Sequence, residues 1–303
     1  MPYTVYVGTR SGKVYKISDG SYTVVSKGDE VLQLIDGEKF STLGVLYRYY
    51  NTEELEWYKV FDILDPADLS TLVSGFEEVL DVYSMRIAWF SGDTYGYFID
   101  STPYQKDRAT MTRESGPDLG FIPKNVVRTN LGLAFYGGNT LKFWDGGTTL
   151  YDWTNKLPST ANIVSVFDFD WEDKICVVQS DGYLSFFDLA GNLLRAKKVV
   201  DKIDFATPLH ASRRVVFGAN EDTVYYYDYD SDTVISYGIL LGEGVINYVA
   251  SDVYNDLWIL APRGIATYFQ AVVHDKDGNI QYNIVVDLGE ATDANCIVVK
   301  NLA

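Results

Sequence analysis

The chain has 303 residues, with 42 Asp or Glu against 25 Lys or Arg and a formal charge of −17. That balance weighs against direct nucleic-acid binding, because neutralising phosphates takes clustered Lys and Arg. A composition of 47% hydrophobic and 22% charged residues excludes a disordered chain and a membrane-embedded one.

The N-terminal stretch MPYTVYVGTRSGKVYKI has no basic segment leading into an apolar run. No signal peptide is expected, and synthesis in the cytoplasm is. No stretch nears the roughly 18 apolar residues of a spanning helix, so no membrane insertion is expected. Cys176 and Cys296 lie in the apolar runs ICVV and CIVV. They read as two buried thiols, with a disulfide as the lesser alternative.

One pattern recurs along the chain, a short apolar run, a polar turn and an aromatic-rich run. In chain order the copies are VYVGTRSGKVYKI, VLYRYYNTEELEWYKVF, IAWFSGDTYGYFI, LAFYGGNTLKFWD, CVVQSDGYLSFFD, VVFGANEDTVYYYD and LWILAPRGIATYFQ. Anchored on Val5, Val45, Ile87, Leu133, Ile175, Val215 and Leu257, they are spaced by 40, 42, 46, 42, 40 and 42 residues. A period of about 40–45 residues is that of a four-stranded propeller blade. The turn inside each copy carries Gly, Asn, Asp or Ser, as at Ser11-Gly12, Gly92-Asp93, Gly138-Asn139 and Asp181-Gly182. These residues tolerate the positive φ of tight hairpins. A second turn follows, as in Asp145-Gly146-Gly147, Ala190-Gly191-Asn192 and Asp277-Gly278-Asn279, and then a further strand. The segment LDPADLSTLVSGFEEVL, residues 64–80, is the best candidate for a turn or two of helix.

An apolar run also precedes each anchor but the first: 31–35, 79–83, 126–130, 163–167, 202–206 and 245–249, with a seventh at 296–300 that has no anchor after it. The unmatched pieces complement each other. The C-terminal strand 295–301 is therefore expected to complete the blade begun by residues 3–8, closing a ring without a radial gap. The expected fold is all-β, a seven-bladed propeller of four-stranded antiparallel blades, with residues 1–303 as one domain. The aromatics Tyr15, Tyr97, Phe143, Phe186, Tyr226 and Tyr268 are expected between blades, which would account for much of the chain's aromatic content.

The whole pattern resembles the broad WD40-like or quinoprotein-like class of seven-bladed propellers. VYVGTRSGKVYKISDG resembles a quinoprotein-type repeat, while FDLAGNLLRAKK and HDKDGNIQYNIVV resemble NHL-type hairpins. The resemblance spans the chain at the level of architecture, and no residue role is carried over from any one family.

Aligned on their middle residues, the inner runs give the column Gln33, Asp81, Arg128, Ser165, Asp204, Asn247 and Val298. The expectation is a polar, hydrated ring around the central channel, with Asp81 and Asp204 available to pair with Arg128 or to hold water or a cation. The plainer reading is a solvated wall with no ligand. Asp36, Asp81, Asp168, Asp170, Asp204 and Asp252 lie in or just after inner runs. They are the candidates for the two carboxylates of a glycosidase. The spacing in HDKDGN (Asp275, Asp277) and YDYDSDT (Asp228, Asp230, Asp232) reads first as turn chemistry, with a weak divalent-cation site as the lesser alternative. His210 and His274 are the only histidines and lack the partners of a zinc motif.

Two readings of function are carried forward. The first is a non-catalytic structural or docking propeller, a protein–protein interaction subunit of a larger assembly such as a phage or archaeal virus particle. The alternative is a carbohydrate-active enzyme or lectin that uses carboxylates and aromatics at one end of the channel. A quinoprotein-type enzyme rests on the first repeat alone, and no cofactor is expected. Departures from the repeat fall at 49–55, 63–78, 101–125 and 286–294, where partners usually bind. Segment 102–124, with mixed charges and three prolines, is the first choice for a contact arm, against an irregular outer strand plus connector.

Overall fold

A computed structural model describes residues 3–18, 20–36, 42–80, 86–91, 94–169, 173–219, 223–240, 248–252, 257–261, 268–289 and 294–301. The described strands form seven four-stranded antiparallel sheets, the blades of a seven-bladed β-propeller. Blade 1 joins β28 (Ala294–Asn301) to β1 (Tyr3–Thr9), β2 (Lys13–Ser18) and β3 (Ser21–Ser26). Blade 2 is β4 (Glu30–Asp36), β5 (Leu43–Asn51), β6 (Glu56–Leu64) and β7 (Thr71–Leu80). Blade 3 is β8 (Ile87–Ser91), β9 (Thr94–Ile99), β10 (Thr102–Asp107) and β11 (Arg113–Ser115). Blade 4 is β12 (Asn125–Thr129), β13 (Gly132–Gly137), β14 (Thr140–Trp144) and β15 (Leu150–Asp152), and a 3-10 turn follows at Thr154–Lys156. Blade 5 is β16 (Ile163–Phe169), β17 (Lys174–Gln179), β18 (Tyr183–Asp188) and β19 (Leu193–Lys198). Blade 6 is β20 (Phe205–Leu209), β21 (Arg214–Ala219), β22 (Thr223–Asp228) and β23 (Thr233–Leu240). Blade 7 is β24 (Tyr248–Asp252), β25 (Leu257–Ala261), β26 (Tyr268–His274) and β27 (Ile280–Asp287).

The ring closes as the sequence requires. β28 pairs with β1 from Tyr3↔Asn301 to Gly8↔Cys296, with a bulge before Thr9↔Ala294. Three expectations need correction. The segment 64–80 is not helical: Leu69 N–H closes one turn on the Asp65 carbonyl at 2.8 Å, and the rest is the outer strand β7. Pairing to β6 favours strand there, and Gly75, at φ 63°, takes up an irregularity in that pairing which a helix would not accommodate. The inner run expected at 202–206 is displaced, since the strand starts at Phe205 and Asp204 precedes it. In the run 79–83, Val79 and Leu80 belong to β7, and 81–83 lie outside the described residues.

The chain divides into two compact units. One comprises Met1–Val126, Arg263–Gln270 and Ile284–Ala303, the other Val127–Pro262 and Ala271–Asn283. Within each, the apolar cores lie between successive blades, because both faces of an internal blade must be covered. In the first unit Tyr6, Val31, Leu43 and Leu64 pack between blades 1 and 2, and Leu46, Phe61, Tyr95 and Tyr97 between blades 2 and 3. In the second, Phe143, Trp153 and Phe187 fill the space between blades 4 and 5, Phe169, Phe186 and Tyr227 that between 5 and 6, and Tyr226 with Trp258 that between 6 and 7. Tyr97, Phe143, Phe186 and Tyr226 thus sit between blades as expected, each contributing on the order of 2–3 kcal/mol by area. Tyr15 is buried too, while the Tyr268 side chain lies outside the description. Cys176 and Cys296 are free thiols.

The turns repeat with their hydrogen bonds. Gly12 N–H donates to the Thr9 carbonyl and its own carbonyl accepts from Lys27; Gly182 does the same with Gln179 and Val199. Gly182 has φ 92°, and a Cβ there would collide with the Val200 carbonyl. Only glycine meets both demands.

Candidate functional site

The inner strands were expected to align their polar residues at one level. Two of them take the same place in their strands: Gln33 pairs with Leu46 and Ser165 with Val178, each directly after a one-residue bulge, at Val31/Gln33 and at Ile163/Ser165. Asp81, Asn247 and Asp170 lie outside the described residues. Counted from the anchors, Asp168 (opposite Ile175) and Asp252 (opposite Leu257) share one level of the second unit.

Two inner-strand side chains bind the main chain of an adjacent blade. The Gln33 amide donates to the Ile87 carbonyl at 2.7 Å and accepts from the Ile87 N–H at 2.9 Å, which couples blade 2 to blade 3. Asp168 accepts from the Asn130 N–H at 2.8 Å, coupling blade 5 to blade 4. Burial pushes the Asp168 carboxyl up to about 6, against that hydrogen bond and the nearby Arg128 cation, both of which favour its charge. Asp204 pairs with Lys202 at 2.8 Å. Arg128 is exposed and Asp36 ends β4.

The candidate cation ligands are parts of capped turns. Asp275 Oδ1 accepts from the N–H groups of Asp277 and Asn279, both at 2.9 Å, and its Oδ2 accepts from the Asn279 amide at 3.0 Å. Asp188 treats Asn192 in the same way two blades earlier, so this is turn chemistry of the repeat. Hydrogen bonds from Asn279 and the Asp277 N–H hold the Asp275 carboxyl below its ordinary value despite some burial. Asp228 accepts from the Asp230 and Ser231 N–H groups at 3.1 and 3.0 Å. The others meet cations: Asp277 with Arg214 at 2.8 Å, Asp230 with Arg213 at 2.7 Å and Asp232 with Lys197 at 3.0 Å. Among the described residues no group of three or more His, Cys, Asp or Glu is gathered as a metal ion would need. His274 is buried against Trp258, with ring centroids 4.2 Å apart, and burial lowers its pKa to about 4.

The segment 102–124 is not a free arm. It supplies β10 and β11 as the outer hairpin of blade 3, and Gly116 and Leu119 donate back to the Pro103 and Ser101 carbonyls, both at 2.8 Å. The strand-like pairing wins because the Asp107 carboxylate caps its turn at the Thr110 N–H.

The projecting element is the β5–β6 hairpin instead. It has nine paired rungs, from Leu43↔Leu64 to Asn51↔Glu56. The corresponding hairpin of blade 1 has four and that of blade 6 has six. Three extra rungs amount to roughly 10 Å of strand. Its base is tied down: Asp29 donates to the Arg48 carbonyl at 2.8 Å and accepts from the Tyr50 N–H at 2.7 Å, while Arg48 pairs with Glu30 at 2.5 Å. Beyond the base, cross-strand rings cover both faces. Tyr49 stacks with Tyr58 at 5.4 Å and Tyr50 meets Trp57 at 5.3 Å. Tyr50, Trp57 and Leu55 are 37%, 39% and 71% exposed. The unusual length of VLYRYYNTEELEWYKVF among the repeat copies is the signal that marks it.

A second feature gave no signal in the sequence. Lys27, in the β3–β4 connection, reaches Asp62 of β6 at 2.6 Å, with side-chain exposures of only 10% and 2%. Asp62 also accepts from the Gly75 N–H at 2.8 Å, and Lys27 donates to Thr71 Oγ1 at 3.0 Å. Among the described residues no helix is long and apolar enough to cross a membrane.

No protein-family model matches the sequence, and no curated protein matches it. Solved structures do. A chain in a crystal structure of the mitotic checkpoint complex is 16% identical, over 85% of this chain and 83% of that one, with a TM-score of 0.64. A crystal structure of Saccharomyces cerevisiae Sqt1 is 13% identical, over 94% of this chain and 83% of that one, with a TM-score of 0.60. At such identity the likeness carries the fold alone. With seven four-stranded blades and a ring closed by its last strand, the chain is a seven-bladed β-propeller.

Proposed function

We propose that the chain is a non-catalytic docking propeller, a protein–protein interaction subunit of a larger assembly, in which residues 1–303 act as one domain. The observation that carries this reading is the engagement of its polar groups. Gln33 and Asp168 bond to the main chain of adjacent blades, and Asp188, Asp228 and Asp275 cap turns. These are the roles of a rigid frame, and a rigid frame lowers the ordering cost of association. Arg128, Ser165 and Asp204 of the second unit then serve as solvated inner positions with no ligand.

A virus particle, from a phage or an archaeal virus, is the assembly we put first. It draws on the tyrosine-rich composition, 24 of 303 residues, and on repeats that lack any one family's recurring motif. The test is sedimentation of native source material with mass spectrometry of the fractions. A fixed stoichiometry with a large particle supports the reading; a free species of 34.1 kDa overturns it. The carbohydrate reading draws on the exposed rings of Tyr50 and Trp57, and a glycan titration decides it.

A further inference from the structure

The β5–β6 hairpin tip combines three properties rarely needed for folding alone. Its rings are exposed, its conformation is fixed, and its charge is of one sign. Asn51 Oδ1 accepts from the N–H groups of Glu53 and Glu54 at 3.0 and 3.3 Å, so the turn is capped from within. Tyr58 donates to Glu54, which pushes its phenol up to about 12. Glu53, Glu54 and Glu56 lie within four successive positions. Among the described residues no cation pairs with any of them, and the local cation Arg48 is already matched by Glu30.

We propose that this tip is a docking element for a basic protein surface. Arginine or lysine side chains of the partner stack on Tyr50 and Trp57 and pair with the three glutamates. The inference rests on the docking reading and names the partner's chemistry.

The ring chemistry is already displayed within the chain. The Arg48 guanidinium lies 4.7 Å from the Trp57 ring centroid, so this indole takes a planar cation. Ring faces attract cations through their quadrupole, Trp most strongly. Carboxylates beside them add bidentate partners that suit arginine best. Exposed Trp and Tyr are the residue types that dominate binding hot spots. Because the rings are pre-stacked and the turn is pre-capped, little side-chain freedom remains to be lost on binding. A phosphate-bearing partner is disfavoured by the same three carboxylates. Neutral sugar would use the rings and leave the charge without a role.

The test uses the full chain and a tetra-arginine peptide, titrated at physiological salt with tryptophan fluorescence and calorimetry. Cellohexaose serves as the sugar probe. Three variants are compared with the native sequence: Trp57→Ala, the triple E53Q/E54Q/E56Q, and a control triple D100N/D201N/D287N with the same charge change outside the hairpin. Circular dichroism checks that each keeps its strands. We expect Trp57→Ala and the tip triple each to weaken peptide binding by roughly five- to tenfold, with less than twofold change in the control. Unchanged affinity in both hairpin variants overturns the proposal. Equal weakening by the two triples also overturns it, since bulk charge then explains the binding. Cellohexaose binding that depends on Trp57, without peptide binding, overturns it in favour of a glycan site. Incorporation of the tip triple into the native assembly at normal stoichiometry removes the hairpin's role while leaving the docking reading intact.

Discussion

Replacing Asp62 by Asn tests how the first two blades are held together. The carboxylate meets Lys27 Nζ at 2.6 Å. In an effective dielectric of about 20 that contact is worth about 6 kcal/mol before desolvation of both ions is subtracted. The pair's net worth is therefore small, but breaking it on one side strands a nearly buried ammonium. The expected loss is about 3–5 kcal/mol. Asparagine keeps an oxygen for the Gly75 N–H, so the change isolates the charge. At about 2.1 cal/mol/K of unfolding entropy per residue, a chain of this length moves about 1.5 °C per kcal/mol, so the midpoint should fall by about 5–8 °C. The assay is paired thermal and urea unfolding, with Lys27→Met and the double variant K27M/D62N completing the cycle. The double variant should recover most of the loss, to within about 1–2 kcal/mol of the native chain, because no unpaired charge remains. An Asp62→Asn chain within about 0.5 kcal/mol of the native one would refute the reasoning. So would a double variant that loses the sum of the singles.

Asp168 gives a pH prediction. Its pKa of about 6 lies above the ordinary carboxylate value of 3.8, so the native state binds the proton more tightly than the unfolded chain does. The associated stability is full below about pH 4 and is lost as pH rises to about 6. Asp168→Asn should therefore stabilise by on the order of 2–3 kcal/mol at pH 7 and by little at pH 3.5, and urea midpoints at the two pH values check it. Gly182→Ala adds a collision with the Val200 carbonyl to a positive φ, whereas Gly20→Ala, at φ 73°, meets nothing within 4 Å. The first should cost over about 2 kcal/mol and the second about 1; similar urea midpoints for both would show that the turn relaxes freely. Ending the chain at residue 293 removes β28 and leaves β1 as a free inner edge. Loss of a single cooperative transition in calorimetry is expected, and an unaltered transition would argue against closure by this strand.

The seven-fold repeat was legible because each blade solves the same local problem with the same letters. Period-2 apolar runs make strands, Gly, Asn and Asp supply turns, and one aromatic run per unit fills the gap to the next blade. Even ring closure could be read, since residues 295–301 and 3–8 were each half of a unit. The turn aspartates were legible in type, and Asp188 and Asp275 show the same bonds in two blades. The equivalence of Gln33 and Ser165 was legible, but the bulge directly before each was not, since nothing in VLQLI or IVSVF announces it. The fate of 102–124 and of 64–80 was likewise decided by pairing to neighbouring strands, which outweighed local helix or loop preference. Lys27 and Asp62 stand 35 positions apart, and only the packing of β6 against the β3–β4 connection brings them together. The sequence by itself determined the repeat, the strand count and the closure, because those follow from local periodicity. The tertiary structure alone decided register, ion pairing and which hairpin stands clear, because those depend on contacts between segments far apart in the chain.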